Sequence, residues 1–286
     1  MKTKLSLFIT ALALIGLTYC TKDSSPIEQT SVDLADDDAV SEVAFDDVFT
    51  TVDNATVTLE SYLSKGDLKS VTIASDSCPI ITITNPTTGI WPKTITVDYG
   101  DGCTGFNGST RKGKIIITVT ERRAVLNSTR TVTFENYYFN GIKVEGTKVV
   151  KNIGPNNNQN IVFEVTLTDG KLILPNSKTI ERSFEHQREW VAGWLTKNIW
   201  DDECLITGTA TGKNIDGVQY THTITSALHW KRVCEFFTSG VMKFEREGAE
   251  AVELDYGTGE CDAIATLKRG ENTKQITLKH RHRSML

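Results

Sequence analysis

The sequence predicts a mainly β protein: a long antiparallel meander sheet, curled and built from two pseudo-repeated halves, with one N-terminal helix. Three observations predict it. Period-2 alternation of apolar residues with Thr and Lys recurs from about residue 70 to 280. Turn dipeptides separate the alternating segments. A helical period occurs once, near the N-terminus.

The helix is read over 39–66. Val40, Val43, Ala44, Val48, Val52, Ala55, Leu59 and Leu63 fall near i, i+3, i+4 spacing, and Gly66 suits the position just past its end. Asp36, Asp37 and Asp38 precede that stripe. With Pro26 and several Ser residues they read as the end of a solvated tether over 20–38, not as a calcium site.

The strands follow. Ile115, Ile117 and Val119 alternate with Lys114, Thr118 and Thr120. Ile142, Val144 and Val150 alternate with Lys143, Glu145 and Thr147, and Ile161, Phe163, Val165 and Leu167 continue the pattern. Such alternation describes strands with one buried face. Asn107-Gly108, Asn140-Gly141, Asp169-Gly170 and Asp216-Gly217 are read as hairpin turns, because both residue types tolerate positive φ.

An internal echo organises the cysteines. Cys78 opens an apolar run that leads to Asp98-Tyr99-Gly100-Asp101-Gly102-Cys103. Cys234 opens another that leads to Asp255-Tyr256-Gly257-Thr258-Gly259-Glu260-Cys261. The echo pairs Cys78 with Cys103 and Cys234 with Cys261, leaving Cys204 as a buried thiol. Loops of this length stabilise by about 3.5 kcal/mol each in the chain-entropy model.

The first 19 residues read as an export signal. Lys2 and Lys4 form a positive n-region, and the 13 residues Leu5–Leu17 form an apolar run too short to span a bilayer. Leu17-Thr18-Tyr19-Cys20 resembles a lipobox, which implies lipidation of Cys20 and stable anchoring by more than one acyl chain. Thr21-Lys22-Asp23-Ser24-Ser25 resembles a reduced surface-export signal of Bacteroidota lipoproteins. The expected location is the outer membrane facing the cell exterior, with the periplasmic face as the alternative. Without Lys2 and Lys4 the chain has 29 basic and 36 acidic residues, a net charge of −7, which argues against nucleic acid as a partner.

No arrangement typical of catalysis occurs. The sequence lacks His-Glu-x-x-His, Gly-x-Ser-x-Gly, Cys-x-x-Cys and a phosphate-binding glycine loop. No cofactor or metal is expected. The acidic stretch Trp200-Asp201-Asp202-Glu203 reads as a loop, and 281–286 as a basic tail. Trp190, Trp194, Trp200 and Trp230 lie within 41 residues, and they are read either as a platform for a glycan or envelope protein or as sheet core.

The chain resembles a group of uncharacterised Bacteroidota lipoproteins. Asp98–Cys103, the Arg111-Lys112-Gly113-Lys114-Ile115 strand start and Phe139–Thr147 carry that resemblance. It implies localisation and no activity. The leading expectation is a membrane-anchored protein with a non-catalytic binding or structural role. The alternatives are an envelope factor that handles lipid or lipoproteins in an apolar half-barrel, or a carbohydrate-active enzyme using distant carboxylates.

Overall fold

The computed structural model describes residues 26–63, 71–73, 78–84, 89–105, 108–196 and 198–278. The signal segment, Cys20, residues 21–25 of the tether, Gly66, Asn107 of the expected Asn107-Gly108 turn and the basic tail lie outside the described residues. The elements are α1 (Gln29–Leu63), β1 (Val71–Ile73), β2 (Ile80–Thr84), β3 (Lys93–Asp98), the two-residue β4 (Cys103–Thr104), β5 (Thr110–Val119), β6 (Thr129–Phe139) and β7 (Ile142–Pro155). They continue with β8 (Ile161–Ile173), β9 (Thr179–Ala192), β10 (Glu203–Lys213), β11 (Gln219–Lys231), β12 (Ser239–Glu245), β13 (Val252–Thr258), β14 (Ile264–Arg269) and β15 (Asn272–Thr277). A 3-10 turn, Ile199–Asp201, precedes β10.

Sequential strands pair antiparallel across one open sheet, and only β4 departs from the path, pairing with β5. The sheet curls around α1. The helix meets the residue following β3 through Thr51 and Tyr99, β5 through Asp47 and Arg111, β9 through Asp38 and Arg182, and β14 through Ser31 and Arg269. Strands so far apart in one sheet reach the same helix only if the sheet bends round it.

The bending devices are β-bulges, where an extra residue on one strand raises local twist and coil. Register shifts occur between Lys112 and Lys114, Glu145 and Thr147, Ile206 and Thr209, and Ser239 and Val241. Gly113 and Gly208 show why glycine is required there. Both have positive φ, and a Cβ would lie 1.9 Å from Asn136 O at the first and 2.1 Å from Glu185 O at the second.

The helix begins ten positions earlier than the sequence predicts, at Gln29. Asp36, Asp37 and Asp38 are therefore not part of a solvated tether; all three are buried. The inner sheet face supplies the reason. It carries Arg130, Lys148, Arg182, Arg188 and Arg269 in buried positions, while α1 has nine carboxylates and no Lys or Arg. An acidic helix inside a basic concavity is stable where each desolvated charge finds a partner.

The Asp169-Gly170 pair is also relocated. It lies within β8, at a register shift between Leu167 and Gly170. The β8–β9 turn instead runs through Asn176 and Ser177, with Ser177 at positive φ. Asn140-Gly141 and Asp216-Gly217 do form hairpin turns between β6 and β7 and between β10 and β11.

Both expected disulfides form. Cys78–Cys103 and Cys234–Cys261 span Cα–Cα distances of 5.9 and 5.3 Å, and Cys204 is free and buried. Each bridge links the segment leading into a strand, β2 or β12, to the segment following that strand's hairpin partner. The two copies lie near opposite edges of the sheet, and Tyr99 and Tyr256 occupy equivalent buried positions.

Candidate functional site

The interior holds a charged cluster midway along α1. Asp38 and Glu42 lie one helical turn apart and both bind the Arg182 guanidinium from β9. Tyr220 Oη donates to Asp38 Oδ1 at 3.0 Å, and His222 Nδ1 lies 3.2 Å from the same oxygen. Burial would raise the Asp38 carboxyl, but Arg182 and His222 overcome it and hold Asp38 at about 2. Burial wins at Glu42, which sits above its ordinary range despite Arg182.

Glu42, His186 and His222 place one ligand atom each within 4.8 Å of one another, a grouping that could hold a metal ion. Their environment opposes one. The Arg182 guanidinium already bonds Glu42 and lies 3.4 Å from His222 Nε2, so a fixed cation stands where a metal would be held. His186 stacks on Phe184 at 4.3 Å and has no hydrogen-bond partner, and burial keeps its ring neutral. The cluster is an internal clamp between helix and sheet.

Lys148 belongs to the same interior. Its Nζ donates to Phe45 O at 2.7 Å, while burial and then Arg188 push its pKa down to about 7, from an ordinary 10.5. Between those two values the unfolded chain holds a proton that the folded chain lacks, so stability rises with pH across that window. Below about 7 the cost of the buried ammonium is fully present. Lys148→Met should therefore be more stable than wild type at pH 7. Its advantage should shrink by at least ~1 kcal/mol as pH approaches 10. Urea unfolding of both proteins at pH 7 and 10 checks this; a constant gap would refute it.

The open site lies at one end of the sheet. A cleft of about 480 Å³ sits between the last turns of α1, the β5–β6 turn and the β9–β10 connection. Asp53, from α1, is its electrostatic centre: it lies 3.1 Å from Arg123, 3.3 Å from Arg130 and 3.5 Å from Arg232. Arg232 also holds Asp202 Oδ2 at 2.6 Å. Burial outweighs that pairing and raises the Asp202 carboxyl above its usual range. Glu60 accepts from the Arg123 backbone N–H. Arg123 in turn lies 4.3 Å over the Trp194 ring. Gly193 lets the β9–β10 connection pass close to Asp202, since a Cβ there would lie 2.3 Å from Asp202 Oδ1.

The four tryptophans do not form a platform. Trp190 and Trp230 occupy inward positions of β9 and β11 and are core, each packed against Phe49. Strand alternation decides this, since both share a face with their buried neighbours at two-residue spacing. Trp194 is wedged among Trp190, Phe163 and Arg123 at the cleft wall. Only Trp200 is exposed, on the 3-10 turn capped by Asn198.

An apolar fringe surrounds the cleft. Strand pairing places the β2–β3, β5–β6, β9–β10, β11–β12 and β13–β14 connections at the same end of the sheet. Among the described residues, seven of the eight exposed large apolar side chains sit there, including Val125, Leu126, Leu195, Trp200 and Val233. Single exposed apolar residues are ordinary, but this concentration on one end is not.

Sequence reading noted Asp202 and the nearby tryptophans. It missed Asp53, Glu60, Arg122, Arg123 and Arg232, which come from elements far apart in the chain. An available signal was the acid-rich helix set against basic residues at inward strand positions. No protein-family model matches the chain, and comparison with curated proteins and with solved structures finds no match.

Proposed function

We propose that this is an exported protein, lipid-anchored through Cys20 at the outer membrane and facing the cell exterior. In this reading its β body is a non-catalytic binding module. One observation carries it: the cleft and its apolar fringe lie at the end of α1 opposite the N-terminus. Asp37 meets the β10–β11 turn and Glu28 meets Arg246 at the near end, while Asp53 and Glu60 reach the cleft. A helix of 35 residues is about 50 Å long, and Cys20 precedes it by nine positions. An anchor there turns the cleft away from the membrane.

The cleft chemistry supports binding over catalysis. General acid–base work needs a carboxyl free to exchange a proton. Asp53 is held among three guanidiniums and Asp202 is held by Arg232. The lipid-handling alternative calls for a dry apolar concavity, and here α1 and its ion pairs fill that space. Among the described residues no helix is long and apolar enough to cross a membrane.

Cys20→Ala should move the protein from the membrane fraction to the soluble fraction and abolish fatty-acid labelling. Protease added to intact cells should degrade the wild-type body. A labelled wild-type chain that survives shaving would place it on the periplasmic face. A Cys20→Ala chain that stays membrane-bound would refute the anchor.

A further inference from the structure

We infer that the N-terminal part of α1, residues 29–42, is an acid-released latch that lifts from the sheet as the buried imidazole of His186 takes up a proton; this stands apart from the binding-module reading. The first observation is how that part of the helix is held. It carries five carboxylates, and its buried apolar side chains are Val32, Leu34, Ala35, Ala39 and Val40, two of them alanines. The later turns instead bury Phe49, Val52 and Leu59, with Phe49 against Trp190 and Trp230. Ion pairs, such as those of Asp38 and Glu42 with Arg182, therefore hold the first part, and apolar area holds the second. Both disulfides join segments of the sheet, and neither crosslinks α1. The sheet stays stapled when residues 29–42 leave it, so they form a unit able to open locally.

The second observation is the imidazole beneath that part. His186 is 2% exposed, and neither of its ring nitrogens has a hydrogen-bond partner. Its register neighbours, Val165 and Gly208, offer it no polar side chain. The charged and titratable groups around it are Arg182 and Arg188 from β9, Lys148 from β7, His222 from β11 and Glu42 from α1. Glu42 is already bonded to Arg182, and His222 lies against Asp38. An imidazolium formed in the closed state would be buried among like charges, whereas one exposed by opening is hydrated. Burial, with Arg182 next, holds the closed-state ring well below its ordinary 6.5. The open state binds a proton from about 6.5 downward and the closed state does not, so opening gains as pH falls through that value. Lys148 acts in a separate window above about 7. Glu42, raised by burial, works against release, because its protonation favours the closed state.

The test follows amide hydrogen exchange in the full-length protein in detergent from pH 7 to pH 5, with rates corrected for intrinsic exchange. Wild type is compared with His186→Leu, whose side chain fills the site and cannot charge. Protection of residues 29–42 should fall in wild type relative to the variant by up to ~25-fold over that range. That is the linkage of one group of ordinary pKa about 6.5 that binds its proton only in the open state. The Glu42 contribution is common to both proteins and cancels in the ratio. Peptides from β5 and β13 should keep their protection throughout. An equal fall in His186→Leu would overturn the inference. So would helix and sheet losing protection together, since that is global unfolding and not release of a latch. Nuclear magnetic resonance of the wild-type imidazole gives a reading that needs no variant: the ring should stay neutral at pH 5.5 while the helix is closed. A charged His186 ring with residues 29–42 still protected would overturn the inference as well.

Discussion

Arg182→Met is expected to lower the stability of the fold by about 3–5 kcal/mol, the largest effect of any single substitution proposed for this chain. The guanidinium is 1% exposed and is the shared partner of Asp38 and Glu42. Its removal leaves two carboxyls facing each other in the interior with Tyr220 and His222 as the remaining polar neighbours. At neutral pH one of them must be buried as an uncompensated anion or take up a proton. The variant should therefore recover part of its stability as pH falls and the carboxyls protonate. Asp38 in wild type gives no such gain over the same range, because it is held at about 2 in the folded protein and its contribution to stability is fully present above its ordinary value of 3.8 and lost only below it. Urea unfolding at pH 7 and pH 5 gives both readings. A loss below about 1 kcal/mol at pH 7 would show that the clamp is dispensable. Adding Asp38→Asn and Glu42→Gln to Arg182→Met should restore stability relative to Arg182→Met alone, because neutral amides carry no unpaired charge.

The second large effect belongs to the disulfides. Cys78→Ser with Cys103→Ser, or Cys234→Ser with Cys261→Ser, should each cost about 3.5 kcal/mol in the chain-entropy model. The bridges close loops with sequence separations of 25 and 27, so the two losses should be nearly equal. They lie near opposite edges of the sheet, where they share no partners, and the losses should add. Equilibrium unfolding with and without a reductant measures this. Cys204 serves as the internal control. It is fully buried, and burial pushes its thiol well above the ordinary range, so a thiol-specific reagent should label it only on unfolding. Labelling of the native protein, or a Cys78–Cys234 peptide in a non-reducing map, would contradict the arrangement.

Much of the architecture was legible because it follows from local rules. Alternation in segments such as Ile115, Ile117 and Val119 reports one buried face whatever lies opposite. The echo around Tyr99 and Tyr256 predicted equivalent strand–turn–strand units, and the cysteines flanking them found each other for that reason. The misreadings share one cause. Asp36, Asp37 and Asp38 look solvated because a carboxylate is costly to bury alone, and nothing within ten residues offers a cation. Asp38 finds its partner in Arg182, 144 positions away, and Asp37 accepts from the Ile215 backbone N–H, 178 positions away. Asp169-Gly170 looks like a hairpin because positive φ serves bulges as well as turns, and only pairing with β9 distinguishes them.

The cleft was the least legible part. Asp53, Arg122, Arg123, Trp190 and Asp202 carry no spacing that marks a site, and of the two readings of the tryptophan cluster the structure shows mostly core. Sequence by itself determined the one-faced strands, the helical segment and the cysteine pairing, since each depends on neighbours along the chain or on a repeated pattern. Tertiary structure alone decided that the helix lies inside the curled sheet and that its acids are buried among arginines. It also brought Asp53, Arg123 and Asp202 together at one end of the sheet. The physical reason is that charge compensation acts through space: whether a carboxylate is solvated, clamped or part of a ligand site depends on which distant strand supplies its partner.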